Sequence, residues 1–206
     1  YCDRDGERAK KTFSDLAKEL KVNIVAGSIA NEKNGEIYNT AFVFNREGEV
    51  VAEYDKTHLF TPMDEHKFFS FGKNLVTFEL DGHKCGIVIC YDIRFCELIR
   101  SLALRGIDML FMVSQWPLVR TSHIVTLTKA RAIENQMFVV CCNSCGKTPD
   151  AVFGGHSQII DPWGEVLGAA GEKQEVITAD CDFGTIKDIR NSINVFNDRK
   201  PDLYEL

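Results

Sequence analysis

Cys90 is the residue of this chain whose surroundings best suit a nucleophile. It closes the run Gly-Ile-Val-Ile-Cys at 86–90, a β-branched strand pattern, and a segment with helix spacing follows at 95–105. In open α/β sheets, ligands gather beyond the carboxyl ends of the strands. A thiol at a strand-to-helix turn has backbone N–H groups nearby, which favour its thiolate and can later hold an oxyanion. Cysteine is also often buried for packing alone, as Cys85 in the same run illustrates. A thiol needs a base or a cation to ionise. The histidines, His58, His66, His83, His123 and His156, leave a Cys–His pair open, although none sits in a recognisable protease signature. Lys56 is the other partner: it follows the strand-like VVAEYD and opens a long stretch without sustained periodicity.

The elements that must position these groups are readable from periodicity. Residues 6–20 carry Ala9, Phe13, Leu16, Ala17 and Leu20 at helix spacing with a charged opposite face. VNIVAGSIA (22–30), YNTAFVFN (38–45) and VVAEYD (50–55) read as a strand meander, with turns at 33–35 and 46–49. The irregular stretch 56–73 is long for a compact domain, and such loops are usually functional. LVTFEL (75–80) and KCGIVIC (84–90) flank the turn Asp-Gly-His, with His83 expected to be exposed there. A helix at 95–105, a buried strand at 107–114, a helix at 122–135 and a strand at 137–144 follow. A hairpin over 156–171, a last strand at 175–182 and a short helix at 183–193 complete the chain. Alternating helices and apolar strands predict an α/β layered fold in one domain, 1–206.

Bulk properties narrow the function. A formal net charge of -6 gives no electrostatic reason to bind nucleic acid or an anionic membrane. No stretch has the length and apolarity of a membrane span, and no signal peptide is visible. The 8 cysteines have no repeating spacing. They read as reduced thiols of a cytoplasmic protein, including the Cys-Cys-Asn-Ser-Cys cluster at 141–145, which lacks a second pair at zinc-finger spacing.

Two segments, EYDKTHLF around Lys56 and GIVICYDIRFCEL around Cys90, together resemble the nitrilase superfamily of carbon–nitrogen hydrolases. VNIVAGS, YNTAFVF, the Trp116–Pro117 pair, KARAIENQMFVV, GGHSQIIDPWGEVL and the ending RKPDLYEL agree with it in order. The resemblance implies a four-layer α/β/β/α sandwich and a Glu–Lys–Cys triad. Cys90 matches the nucleophile, which attacks an amide carbonyl to give a thioester and release ammonia. Lys56 matches the lysine that stabilises the oxyanion together with a backbone N–H, here that of Tyr91. Glu65 resembles a second glutamate near the lysine, with Asp64 as the adjacent fallback. The triad's general-base glutamate has no counterpart before Lys56, so the resemblance implies a chain N-terminally incomplete, lacking the first strand, first helix and second strand. Cys96 stands where relatives often carry proline, and is expected to pack at the helix start.

Within the superfamily the motifs resemble the omega-amidase branch, which hydrolyses 2-oxoglutaramate or 2-oxosuccinamate. A small carboxylated amide needs a cation, for which Arg94 and Arg120 are candidates, with an ion pair to Asp92 or Glu97 as the competing role of Arg94. Trp116 either walls the pocket or belongs to the core, and Ile124 replaces an aromatic common in relatives and should alter the pocket. Nitrilase and N-carbamoyl amidohydrolase chemistry are the alternatives within the family. A Cys–His hydrolase on another fold, or a catalytically inactive subunit that binds a ligand or partner, are the alternatives outside it. The resemblance implies no metal, nucleotide or flavin cofactor, and a homodimer or larger homo-oligomer, with 194–206 as a crossing segment.

Overall fold

The computed structural model describes residues 2–149 and 151–204, so the last two residues of the RKPDLYEL ending and of the 194–206 tail lie outside the described range. One sheet holds β1 (Asp3–Arg4), β2 (Ile24–Lys33), β3 (Glu36–Phe44) and β4 (Val50–Asp55) in that order. β1 runs parallel to β2, and β2, β3 and β4 form the antiparallel meander that the turns at 33–35 and 46–49 require. The second sheet has the order β12-β11-β8-β7-β6-β5. Its members are β5 (Thr77–Leu80), β6 (His83–Ile89), β7 (Met109–Ser114), β8 (Phe138–Asn143), β11 (Gln158–Ile160) and β12 (Val166–Ala169). β6, β7 and β8 are parallel, joined by the helices α2 (Cys96–Leu104) and α3 (Thr121–Asn135). Parallel neighbours need such crossovers because a hairpin cannot connect them. A small pair, β9 (Cys145–Lys147) with β10 (Val152–Gly154), projects after β8.

Side-chain alternation separates the layers. In β3, Ala41 and Val43 face the other sheet, whereas Phe42 and Phe44 pack under α1 (Glu7–Leu20) with Ala17, Ala26 and Phe13. In β7, Met109 and Val113 point between the sheets, and Leu110 and Met112 point to α2 and α3, where Ile99, Leu102, Ile124 and Ala132 meet them. Helix, sheet, sheet, helix is therefore the layer order, as the resemblance implies. α4 (Gly184–Ser192) inserts Ile186 into the core between the sheets.

Two local expectations fail. Residues 175–182 form no strand: Val176 is 90% exposed, and the segment runs past Gly168 of β12 without a ladder. Ile177, Ala179 and Cys181 are half-buried on one side, but the segment makes no backbone ladder, so periodicity alone does not make it a strand. His83 is half-buried rather than exposed, stacked on Phe183 with ring centroids 3.7 Å apart.

Candidate active site

The strand ends converge on Cys90. β6 stops at Ile89, and a 3-10 turn over Cys90–Arg94 begins with Cys90 in the left-handed region at φ 49°. A non-glycine residue held there marks a backbone that its surroundings over-determine. The first N–H groups of such a turn, including that of Tyr91, have no partner within the helix and point toward its N-terminal side. Lys56 sits just past β4, its own N–H donating to the Asn39 carbonyl and its carbonyl accepting from Gly72 at 2.8 Å. The chain can turn back this closely only because residue 72 is glycine: a Cβ there would fall 2.0 Å from the Asp55 carbonyl oxygen.

Lys56 is 3% exposed, and its Nζ donates to Glu65 Oε2 at 2.5 Å. The same oxygen accepts the Phe60 N–H at 2.6 Å, and Oε1 accepts from Asn39 Nδ2 at 2.9 Å. Burial by itself raises the Glu65 carboxyl, but the Lys56 ammonium and the two other donors overcome it and hold the group below the usual carboxylate range. Asp64 faces outward to Lys67, so of the two adjacent acids it is Glu65 that meets the lysine. Burial pushes the Cys90 thiol above its ordinary value. The Lys56 charge, the Ser114 hydroxyl and the Gln115 N–H pull it back in part, and the Glu65 charge adds to the rise.

Lys56, Glu65 and Cys90 all line one cavity of 390 Å³, roofed by Phe60, Met63, Phe68 and Phe69 of the 56–73 loop and closed by Phe153. None of the histidines is among its lining residues, and His58 turns instead to Asp92, 2.9 Å from its Nδ1. The Cys–His pairing is thereby replaced by a cysteine with a lysine–glutamate pair. A narrow adjoining cleft also touches Cys90 and is lined by Tyr91, Arg94, Trp116 and Arg120. Arg94 pairs with neither Asp92 nor Glu97: it approaches His123 Nδ1 at 3.1 Å and lies over the Trp116 ring at 4.7 Å. Arg120 lies over the Phe60 ring at 5.6 Å. Trp116 fills both of its expected roles, buried in the core beneath the helices and walling the cleft, with Nε1 donating to the Arg120 carbonyl.

Such a constellation can perform acyl transfer. A sulfur nucleophile, an ammonium held by a carboxylate and the N–H groups of the turn meet at one pocket, and donors aimed at developing negative charge are worth several kcal/mol in such a site. The sequence profile of the carbon-nitrogen hydrolases matches residues 5–191. The 2-oxoglutaramate amidase of Bacillus subtilis (strain 168) is 47% identical over 203 residues, covering 98% of this chain and 78% of that protein. The chain belongs to the carbon-nitrogen hydrolase family. The carbon-nitrogen hydrolase from Helicobacter pylori G27 superposes with a TM-score of 0.91 at 25% identity, over 96% of this chain and 74% of that one. A variant of the amidase from Nesterenkonia sp. AN1, with the acetamide moiety of fluoroacetamide covalently added at its active-site cysteine, superposes at 0.84 and 26% identity, over 96% and 72%.

For this carbon-nitrogen hydrolase, two details correct the sequence reading. Ile124 is a fully buried residue of α3 and lines neither cavity at Cys90, so it cannot reshape the pocket directly. Cys96 is exposed rather than packed, its thiol directed to Glu97 at 3.4 Å. Sequence reasoning missed Asn39 as the second ligand of Glu65, and Ser114 and Gln115 beside the thiol. Asn39 lies within the YNTAFVF motif, which was the only signal for it.

Proposed function

We propose that the protein is an omega-amidase that hydrolyses the terminal amide of 2-oxoglutaramate or 2-oxosuccinamate. The observation that carries this reading is the placement of Cys90, Lys56 and Glu65 on one cavity, with the Arg94 and Arg120 guanidiniums on the adjoining cleft. The likeness to the Bacillus 2-oxoglutaramate amidase supports the substrate.

In this mechanism the amide carbonyl enters beside Cys90, and the substrate carboxylate meets Arg94 and Arg120, whose faces are already stacked on Trp116 and Phe60. The Cys90 sulfur attacks the carbonyl carbon, forming the C–S bond. The oxyanion so created faces the Lys56 ammonium and the Tyr91 N–H. Collapse breaks the C–N bond, and the nitrogen leaves as ammonia with the proton that the thiol gave up. Water then attacks the thioester, giving the dicarboxylate and restoring the thiol. Glu65 holds Lys56 in place, and its lowered affinity for protons makes it an orienting group before it is a base.

The chain acts in this reading as a single carbon–nitrogen hydrolase domain, in the cytoplasm, as a homodimer or larger homo-oligomer. All the cysteines are free, which suits a reducing compartment. No described helix is long and apolar enough to cross a membrane. Ammonia release from 2-oxoglutaramate, with Cys90→Ala as control, tests the proposal, and equal release by the variant would sink it. One observation favours a second reading, a chain that acylates without turning over: Glu65 is the only carboxylate among the described residues that line the Cys90 cavity. That reading expects one equivalent of ammonia per chain and a stable acyl mass on Cys90.

A further inference from the structure

Lys56 and Cys90 reach the cavity from different sheets, and no ladder joins β4 to β6. Their relative position must therefore be fixed by the segments that follow those strands. Among the described residues, no backbone–backbone hydrogen bond links 54–60 to 89–95. Every hydrogen bond between them ends on one carboxylate. Asp92 is fully buried. Its Oδ2 accepts the Tyr54 hydroxyl at 2.8 Å and the Ile89 N–H at 3.0 Å. Its Oδ1 accepts the His58 N–H at 2.9 Å and faces His58 Nδ1 at 2.9 Å. Tyr54 and His58 bracket Lys56, and Ile89 immediately precedes Cys90. His58 also stacks on Phe95 with centroids 3.5 Å apart, and Phe60 meets Tyr91 edge-on, so the rest of the joint is aromatic contact without directional bonds.

We propose that Asp92 is a positioning residue that sets the distance between the Lys56 ammonium and the Cys90 sulfur by gripping the Tyr54 hydroxyl and the His58 backbone that flank Lys56 and the Ile89 backbone that precedes Cys90. It lines neither cavity at Cys90 and so touches no substrate. A carboxylate has acceptor sites for all four groups that meet it and carries no proton to turn against a donor. Asparagine has the same shape but presents an NH2 to one of the two donor pairs. Asp92→Asn therefore loses either the grip on Ile89 or the grip on His58. The strain held at Cys90 then relaxes, and Lys56 no longer faces the sulfur squarely.

The inference rests on the roles proposed above for Cys90 and Lys56, but its decisive readout needs no turnover. The pH dependence of Cys90 alkylation by iodoacetamide, followed by peptide mass spectrometry, is compared in the full chain and in Asp92→Asn. The profile is expected to move up by about 1 pH unit as the ammonium's pull on the thiolate weakens. With 2-oxoglutaramate, kcat falls about 10²-fold while KM stays within about threefold, the mark of misplacement rather than lost binding. Tyr54→Phe removes one donor only and should move the profile in the same direction by less. If Asp92→Asn does not fold, Tyr54→Phe carries the test. A profile that superimposes on the wild type in the folded variant, even with a lower melting temperature, overturns the proposal. Ammonia release that survives Cys90→Ala would overturn the proposed function instead and leave the alkylation comparison readable.

Discussion

Glu65→Gln isolates the charge of the lysine's partner from its shape. Gln keeps one oxygen to accept Lys56 Nζ and the Phe60 N–H, now held by Glu65 Oε2 at 2.5 and 2.6 Å. Its NH2 would oppose Asn39 Nδ2, but the Asn39 amide can turn over and accept instead. The count of hydrogen bonds is thus preserved and the ion pair is lost. Hydrogen bonds to charged groups contribute about 1.5–3 kcal/mol and neutral ones about 0.5–1.5, so the variant should lose about 2 kcal/mol. For a chain of this size that lowers the melting temperature by about 4–8 °C.

The effect on the thiol has the opposite sign from the effect on turnover. The Glu65 charge raises the Cys90 thiol and the Lys56 charge lowers it. Removing the Glu65 charge alone therefore favours the thiolate. Iodoacetamide should modify Cys90 faster near neutral pH in Glu65→Gln, while ammonia release falls about 10²-fold because the ammonium, without its ion pair, is held less firmly. Peptide mass spectrometry is needed, since Cys2, Cys96 and Cys142 are exposed and will also react. Slower alkylation of Cys90 in the variant would refute the reasoning, because it would mean that the Glu65 charge does not hold the thiol up. The acid limb follows from the same pair. The Glu65 carboxyl is held below its ordinary value of 4.5. Its contribution to stability is therefore complete above that value and lost as pH falls through the lower, folded value. Glu65→Gln should lack that part of the acid transition.

Three further outcomes are expected. Arg94→Ala should raise KM for a carboxylated amide about 10–100-fold, the loss of one charge-assisted hydrogen bond, and leave a neutral amide nearly unchanged; equal effects on both would remove Arg94 from the carboxylate site. Burial raises the Cys85 thiol from its ordinary 9.0 to about 12, so the unfolded chain gives up that proton first and stability falls as pH rises between those values, by about 4 kcal/mol for this residue. Melting temperatures from pH 8 to 11 should show that slope in the wild type and a shallower one in Cys85→Ala. Gly72→Ala forces a Cβ onto the Asp55 carbonyl, and should cost about 1–3 kcal/mol and lower kcat by moving Lys56; chemical denaturation and steady-state rates check both.

The sequence made the layers legible because strands such as β3 and β7 must serve two apolar neighbours at once, and so read as short, nearly continuous apolar runs. Cys90 and Lys56 were legible because each follows a strand directly and stands in a segment that resembles the family. Glu65 was not legible from periodicity: it lies in a loop of short turns, and only its resemblance to relatives singled it out. Asn39 had only its place in a family-like motif to mark it, since its side chain meets Glu65 across 26 residues of chain and its neighbours in β3 dictate only a strand. The strand expected at 175–182 shows the reverse error, an alternating pattern with nothing to pair against. Asp92 reads in the sequence as one more polar residue after the nucleophile, and its meaning depends on Tyr54 and His58 arriving from the other sheet.

The charges around Cys90 also bear on how the site rests. Burial is the largest influence on the Cys90 thiol and outweighs the pull of the Lys56 charge, the Ser114 hydroxyl and the Gln115 N–H, while the Glu65 charge adds a smaller rise. The free site therefore holds a thiol rather than a thiolate. That protects a cysteine lining a cavity from oxidants and alkylators, which attack the charged form. It also means that deprotonation must accompany attack on the substrate instead of preceding it. An amide oxygen drawn toward Lys56 and the Tyr91 N–H supplies the missing drive, because the negative charge then passes from sulfur to an oxygen that both donors can reach. An ammonium misplaced by a small distance removes that drive, whereas one left without its carboxylate activates the thiol too early. Glu65 and Asp92 thus constrain opposite failures, the first by moderating the charge of Lys56 and the second by fixing where that charge stands.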